Sequence, residues 1–434
     1  MEAVAQRLEQ LVSPAALLAW NDVEASRQQA ILRSLRPGAA PDYVVSPNTE
    51  AELASVMEFA HQHQWRVLPM GSGSKLHWGG LVSGITLVIS TERLNRLIEH
   101  AIGDLTVTAE AGLTFAELQQ ILGKAGQFLA IDPTVSSERA TLGGIVATGD
   151  AGSLRHRYHS VRDMLLGVTF VRHDGQIVKA GGRVVKNVAG YDLMKLLTGS
   201  YGTLGIITQV TFRVYPIPPA SQTVVLTGDT TGTKHRPDGI AQALQALLGS
   251  ALSPSVLDLR LEQGLRLVVQ FQSVSESVKL QVMRLGEIAS ALDLSVESYV
   301  NDAEADLWQT SRGLMSDASQ SHAILCKIGV KPSNAVEALC EIERLMPTAI
   351  AVIHAGSGLG QFVVEGVRSV QIQEARSRLQ ALGGYLSVLQ APTQLKQSID
   401  IWGYTGNALE LMTQVKNQFD SEHRLSPHRF VGNI

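Results

Sequence analysis

Glycine restricts this chain more than any other residue, because many of its 39 copies in 434 residues gather in loops of the first half. The first loop, Gly71-Ser72-Gly73-Ser74-Lys75, follows the short run Arg66-Val67-Leu68-Pro69, which predicts a strand. Gly71 and Gly73 can adopt backbone angles closed to other residues, so successive N–H groups can point into one concavity and hold an anion. Ser72 and Ser74 add hydroxyl donors and Lys75 adds a cation. The spacing is neither G-x-x-x-x-G-K-S/T nor G-x-G-x-x-G, and an ordinary turn is the other reading. In the second loop, Thr141-Leu142-Gly143-Gly144-Ile145-Val146-Ala147-Thr148-Gly149, small residues let the backbone approach something flat, or let two elements pack closely. The third runs from Gly181 to Ile207, with Gly199, Gly202 and Gly205 punctuating a turn that enters an alternating strand.

The rest of the composition excludes several classes. Lys plus Arg number 36 and Asp plus Glu 40, a formal charge of −4, without the basic stripe of a nucleic-acid binder. With 45% hydrophobic and 18% charged residues, the chain can bury large cores and is not a disordered one. Its length corresponds to about three domain-sized units. The two cysteines, Cys326 and Cys340, cannot form a disulfide framework, and their apolar neighbours predict packing roles. The opening stretch lacks the pattern of a secretory signal and no apolar run is long enough to cross a bilayer, so a cytoplasmic protein is expected.

Along the chain, residues 1–40 have helical spacing (Leu8, Leu11, Val12, Leu17, Leu18) and stop at Pro37-Gly38. Thr49 with Glu52, and Thr114 with Glu117, form capping-box patterns that open two helices. Ile85 to Ile89 predicts a strand, and Asp174-Gly175 between two β-rich runs predicts a hairpin. Residues 209–214 alternate as a half-buried strand, and Pro216, Pro218 and Pro219 close the region. Beyond them the pattern predicts strand 222–227, helix 238–249, strands 255–261 and 265–272, helix 275–292 and strand 295–300. A polar helical insert with Trp308 and Arg312 follows. The same order then recurs as strand 322–330, helix 333–346, strands 349–355 and 360–366, helix 370–383 and strand 385–391. Two βαββαβ units in tandem would bury their helices on one face of an antiparallel sheet.

The glycine loops, in this order, resemble the FAD-binding domain of the vanillyl-alcohol-oxidase superfamily, the PCMH-type fold, over residues from about 40 to 220. The segment KNVAGYDLMKLLTGSYGTLGIIT (186–208), with Ser160-Val161-Arg162-Asp163 and Leu166-Gly167, resembles most the FAD-binding subunit family of bacterial glycolate oxidases. The resemblance implies an α+β protein with a PCMH-type FAD-binding domain at 41–220, preceded by a helical segment at 1–40. An antiparallel-sheet cap domain of two βαββαβ-like units at 221–400 would follow, and residues 401–434 would return to the flavin domain. It implies FAD held at its pyrophosphate by Gly71, Ser72, Gly73, Ser74 and Lys75, and along its length by Thr141, Gly143, Gly144 and Thr148. Ser160 would contact the flavin side, and Gly205 with Ile207 would meet the adenine end or the ribityl chain. Ser74 stands where some members carry the His that bonds FAD covalently, so a non-covalent flavin is expected.

His354-Ala355-Gly356-Ser357-Gly358 resembles the H-x-G-x-G segment that helps ligate a metal in catalytic relatives, but Leu359-Gly360-Gln361-Phe362 follows without a second His. One imidazole does not make a site that needs three protein ligands, so no metal is expected. His354 and Arg429 are candidate catalytic residues, His354 as a base or orienting group or simply as a hydrogen-bonded strand-end residue. Arg312 and Arg429 are candidates for a substrate carboxylate. Trp402 either covers the flavin or packs the core. The family's closing segment usually contains N-P-G-R, and Ser426-Pro427-His428-Arg429 replaces its Asn and Gly.

The activity implied is that of an FAD-binding subunit of a glycolate oxidase or dehydrogenase complex, converting glycolate or D-lactate to the 2-oxo acid. Electrons would pass to an iron–sulfur subunit, because two cysteines cannot ligate a cluster. A paralogous FAD-linked catalytic subunit is the other expected partner, with any membrane contact made through partners. The alternatives are a self-sufficient FAD-dependent D-2-hydroxyacid dehydrogenase and a structural subunit without flavin.

Overall fold

The computed structural model describes residues 2–134, 138–183, 190–228, 237–317 and 322–434, so the first four residues of the 186–208 segment lie outside the described residues. Two compact units emerge, one made of Met1–Ala151, Ser160–Pro216 and Thr405–Ile434, the other of Gly152–His159 and Ile217–Tyr404. The short stretch 152–159 thus groups with the second unit, and residues 1–40 with the first.

In the first unit, a four-stranded sheet has the order Leu17–Ala19, Tyr43–Val45, Leu87–Ser90, Val67–Met70, and the last three strands run parallel. A parallel sheet is covered on both faces and reads as a continuous apolar run. Leu87-Val88-Ile89 obeys this, with Leu87 and Ile89 in the core beneath helix Glu50–Gln62 and Val88 in the core around Ile31 and Leu35. Thr49 caps that helix by accepting from Glu52 N at 3.1 Å, and Glu52 Oε2 accepts from Asn48 N at 2.8 Å. The helical spacing of residues 1–40 resolves into helices Glu2–Glu9 and Ala25–Leu32, while Leu17–Ala19 is an edge strand antiparallel to Tyr43–Val45. Pro14 and the sheet's unpaired edge override the local pattern there.

A five-stranded antiparallel sheet, Leu97–Ala101, Thr106–Glu110, Ile206–Arg213, Leu165–Val171, Ile177–Gly181, and a two-stranded one, Tyr215–Pro216 with Gln127–Phe128, belong to the same unit. The last two strands of the five-stranded sheet form the hairpin expected at Asp174-Gly175, with Gly175 at φ +85°. Helix Phe115–Gly123 carries a reciprocal Thr114–Glu117 capping box.

The second unit holds one eight-stranded antiparallel sheet in the order Ser295–Tyr299, Ala220–Thr227, Leu265–Ser273, Val256–Leu261, Ile350–His354, Leu359–Val364, Ile324–Gly329, Tyr385–Gln390. Each βαββαβ half contributes four neighbouring strands, and the halves join where Val256–Leu261 pairs with Ile350–His354. Helices Pro237–Leu248, Ser275–Ala291, Ala335–Leu345 and Ser369–Ala381 bury one face in a single apolar core that includes Cys326. Cys340 is half-buried on the third of these helices.

Candidate functional site

The first unit folds its three glycine loops onto one groove. Strand Val67–Met70 ends in the 71–75 loop, where Gly73 takes φ +78°. Thr141 caps helix Leu142–Thr148 by accepting from Gly144 N at 3.3 Å, and Gly149 closes that helix at φ +61°. The turn of residues 199–205 follows with Gly202 at φ +72°, and Tyr201 N donates to Ala147 O at 2.8 Å. These segments line one open groove.

Glycine lets the segments around the groove pack closely. A Cβ on Gly71 would lie 2.2 Å from Thr141 Oγ1, on Gly143 2.8 Å from Ala111 Cβ, on Gly202 2.8 Å from Pro69 Cγ, and on Gly205 2.6 Å from Phe170 Cδ2. At these positions only glycine lets the segments approach, which brings amide groups to a narrow slot. A flat dinucleotide with two phosphates needs oriented donors and a slot of this kind, so the residues present fit FAD.

Of the residues singled out from sequence, Gly71, Ser72, Gly73, Ser74, Lys75, Thr141, Gly143, Gly144, Thr148, Gly205, Ile207 and Arg429 line the groove. Ser160 is not among the lining residues; its hydroxyl donates to Asp163 Oδ2 at 2.6 Å and caps the next short helix. Two side chains in the first loop are engaged by protein. Ser72 Oγ donates to Arg139 O at 2.6 Å, and Lys75 Nζ donates to Asp150 Oδ2 at 2.6 Å. Arg429 is buried, donates through Nη2 to Leu76 O at 2.5 Å, and burial lowers its guanidinium pKa to about 10, with Tyr201 opposing.

The sequence reading did not single out Thr91, Tyr201 and Asp150. Thr91 follows strand Leu87–Ser90 and lines the groove through a bond from its N to Met70 O at 2.9 Å. A strand that ends beside a glycine loop is the signal that would have found it. Asp150 had no such signal, because its partner Lys75 lies 75 residues away.

His354 belongs to the second unit and ends strand Ile350–His354. Its Nδ1–H donates to Asp258 Oδ1 at 2.8 Å, while Asp258 Oδ2 accepts from Ser153 Oγ at 2.5 Å and lies 3.4 Å from Arg260 Nη2. Burial pushes the Asp258 carboxyl up, but His354, Arg260 and Ser153 outweigh it and hold the group below its ordinary value. The glycines after His354 have packing reasons. A Cβ on Gly356 would lie 2.4 Å from His156 Nδ1, and Gly358 takes φ +71°. Among the described residues, no group of three or more His, Cys, Asp and Glu side chains is placed to hold a metal ion. Trp402 packs, partly buried, against the core of this unit.

Comparison with known proteins bears on the groove. Residues 41–181 match the family described as FAD binding domain. Glycolate oxidase subunit GlcE of Escherichia coli (strain K12) is 41% identical over 151 residues, 35% of this chain and 43% of that protein. Glycolate oxidase subunit GlcD of Bacillus subtilis (strain 168) is 29% identical over 53% of this chain and 47% of its own length. The mitochondrial D-lactate dehydrogenase (cytochrome) of Arabidopsis thaliana is 27% identical over 73% and 59% respectively. The chain therefore spans about half the length of these relatives. In fold, it is similar to p-cresol methylhydroxylase, with a TM-score of 0.74 at 14% identity covering 99% of this chain and 96% of that one. Alkyldihydroxyacetonephosphate synthase gives 0.74 at 17% identity, covering 98% and 84%. Among the described residues, no helix is long and apolar enough to cross a membrane.

Proposed function

We propose that this chain, whose residues 41–181 match the FAD binding domain family, is a PCMH-type FAD-binding oxidoreductase with FAD as its cofactor, and that it is the FAD-binding subunit of a glycolate oxidase or dehydrogenase complex. Its reaction converts glycolate or D-lactate to the 2-oxo acid, with an iron–sulfur subunit as the next electron carrier and a paralogous flavoprotein subunit as a further partner. The observation that carries this reading is the 41% identity to glycolate oxidase subunit GlcE, over a stretch far more alike than any other reported above. The two cysteines support a separate electron carrier, since Cys326 is buried in the core and a cluster takes four thiolates.

FAD, when bound, supplies the hydride acceptor for oxidation of a CH–OH group. The chain's own residues do the rest of what this unit contributes. The 71–75 loop and the Thr141-capped turn line the groove and would hold a dinucleotide there. Gly71, Gly143, Gly202 and Gly205 let the segments around the groove pack closely. Ser74, in place of a histidine, leaves the flavin without a covalent bond to this loop.

A second reading has a specific observation in its favour, because the Arabidopsis D-lactate dehydrogenase aligns over 73% of this chain, into the second unit. Under it the chain alone is a D-2-hydroxyacid dehydrogenase, and His354, with its Nδ1 engaged by Asp258, accepts a proton or orients the substrate. Purifying the full chain separates the two. A yellow protein that glycolate or D-lactate bleaches only when the glycolate oxidase partner subunits are added supports the subunit reading. Bleaching of the isolated chain supports the second reading and overturns the first.

A further inference from the structure

We propose that Lys75 is a positioning residue of the cofactor groove, and that its charge is engaged by Asp150 instead of by the cofactor's pyrophosphate. The expectation that a lysine closing a G-S-G-S-K loop contacts phosphate comes from its residue type, and the geometry points elsewhere. Lys75 Nζ lies 2.6 Å from Asp150 Oδ2, and the two side chains are 4% and 0% exposed. The other carboxylate oxygen, Oδ1, accepts from Thr134 Oγ1 at 2.7 Å and from Thr134 N at 3.2 Å. Three donor atoms, Lys75 Nζ, Thr134 Oγ1 and Thr134 N, therefore converge on the Asp150 carboxyl group. A pair of this kind is screened little by salt, because solvent does not reach it.

Its placement explains what the pair is for. Lys75 ends the loop that lines one wall of the groove, and Asp150 follows helix Leu142–Thr148, which lines another. Asp150 N donates to Ile145 O at 3.2 Å, so the carboxylate is fixed to that helix. The ion pair thus ties the two walls together from behind and sets the width of the slot. The Lys75 ammonium also sits 5.6 Å from the centroid of the buried Trp78 ring, which holds its stem in place. The pyrophosphate is left to the loop amides and to the other groups lining the groove.

This inference rests on FAD as the ligand of the groove and is independent of the substrate, so a chain that oxidises no hydroxy acid leaves it standing. The test is FAD titration of the full chain after flavin removal, followed by fluorescence at 0.05 and 0.5 M NaCl, for wild type, Lys75→Met and Asp150→Asn. A positioning pair predicts that both substitutions weaken FAD binding at least tenfold, and that the loss in Lys75→Met is the same at both salt concentrations. Should Asp150→Asn bind FAD as tightly as wild type or more tightly, the lysine it releases is a phosphate ligand and the proposal fails. A Lys75→Met defect that largely disappears at high salt overturns it equally. If Asp150→Asn does not fold, the salt comparison on Lys75→Met decides alone.

Discussion

Gly71 shows how much one missing carbon decides. Its Cβ would sit 2.2 Å from the hydroxyl of the Thr141 cap, which has no room to retreat while it accepts from Gly144 N. Overpacking of this kind costs about 1–3 kcal/mol, and Gly71→Ala should therefore weaken FAD binding roughly tenfold or more. Gly103→Ala is the matched control, because its Cβ would meet nothing within 4 Å, and it should bind FAD as wild type does. Titration of both variants with FAD checks the pair of expectations. In the second unit, burial holds the His156 imidazole below its ordinary pKa of 6.5, with His354 adding to the effect and Asp258 opposing it. A group whose folded pKa is depressed contributes stability that is complete above its unfolded pKa and is lost as pH falls through the folded one. The urea midpoint of the second unit should thus decline as pH drops from 7 towards 5, and His156→Gln should flatten that decline. Equal slopes in the two proteins would show that His156 is not its source.

At the scale of elements, the C-terminal helix Leu409–Phe419 is fastened by a lysine with no solvent exposure. Lys416 Nζ donates to Asp420 Oδ2 at 2.5 Å, to Thr203 O at 2.7 Å and to Leu425 O at 3.0 Å, and Leu425 in turn bridges to Val67 in parallel. One ammonium so joins the helix to the glycine turn and to the strand that leads into the groove. Removing one partner leaves the other charge buried, at a cost of about 3–5 kcal/mol. Lys416→Met and Asp420→Asn should each lower the unfolding free energy on that order, and the double variant should lose clearly less than the sum. Chemical denaturation of the three proteins measures this. None of it was legible in the sequence, where Lys416 and Asp420 look like an ordinary exposed i, i+4 pair. Elements whose signals are local were legible. The Thr114–Glu117 box, the Asp174-Gly175 hairpin and all eight strands of the second unit follow from period, caps and turns. Strand Leu17–Ala19 was not, because its partner Tyr43–Val45 lies well along the chain and the local spacing is helical. The same holds within the site. Glycine loops announce themselves, while the Lys75–Asp150 tie depends on a contact between distant residues.

For the whole molecule, two units of different construction follow from one chain. The first mixes a largely parallel and an antiparallel sheet around glycine-rich loops, and the second repeats one βαββαβ order into a single sheet. The central claim is that the groove of the first unit holds one FAD without a covalent bond. The most direct measurement is the absorption spectrum of the purified full chain before and after denaturation, with FAD titrated back into the stripped protein. The account predicts a flavin spectrum that leaves with the supernatant on denaturation and returns at one equivalent of FAD per chain. A folded chain that takes up no FAD, or a flavin that stays on the denatured polypeptide, would contradict it.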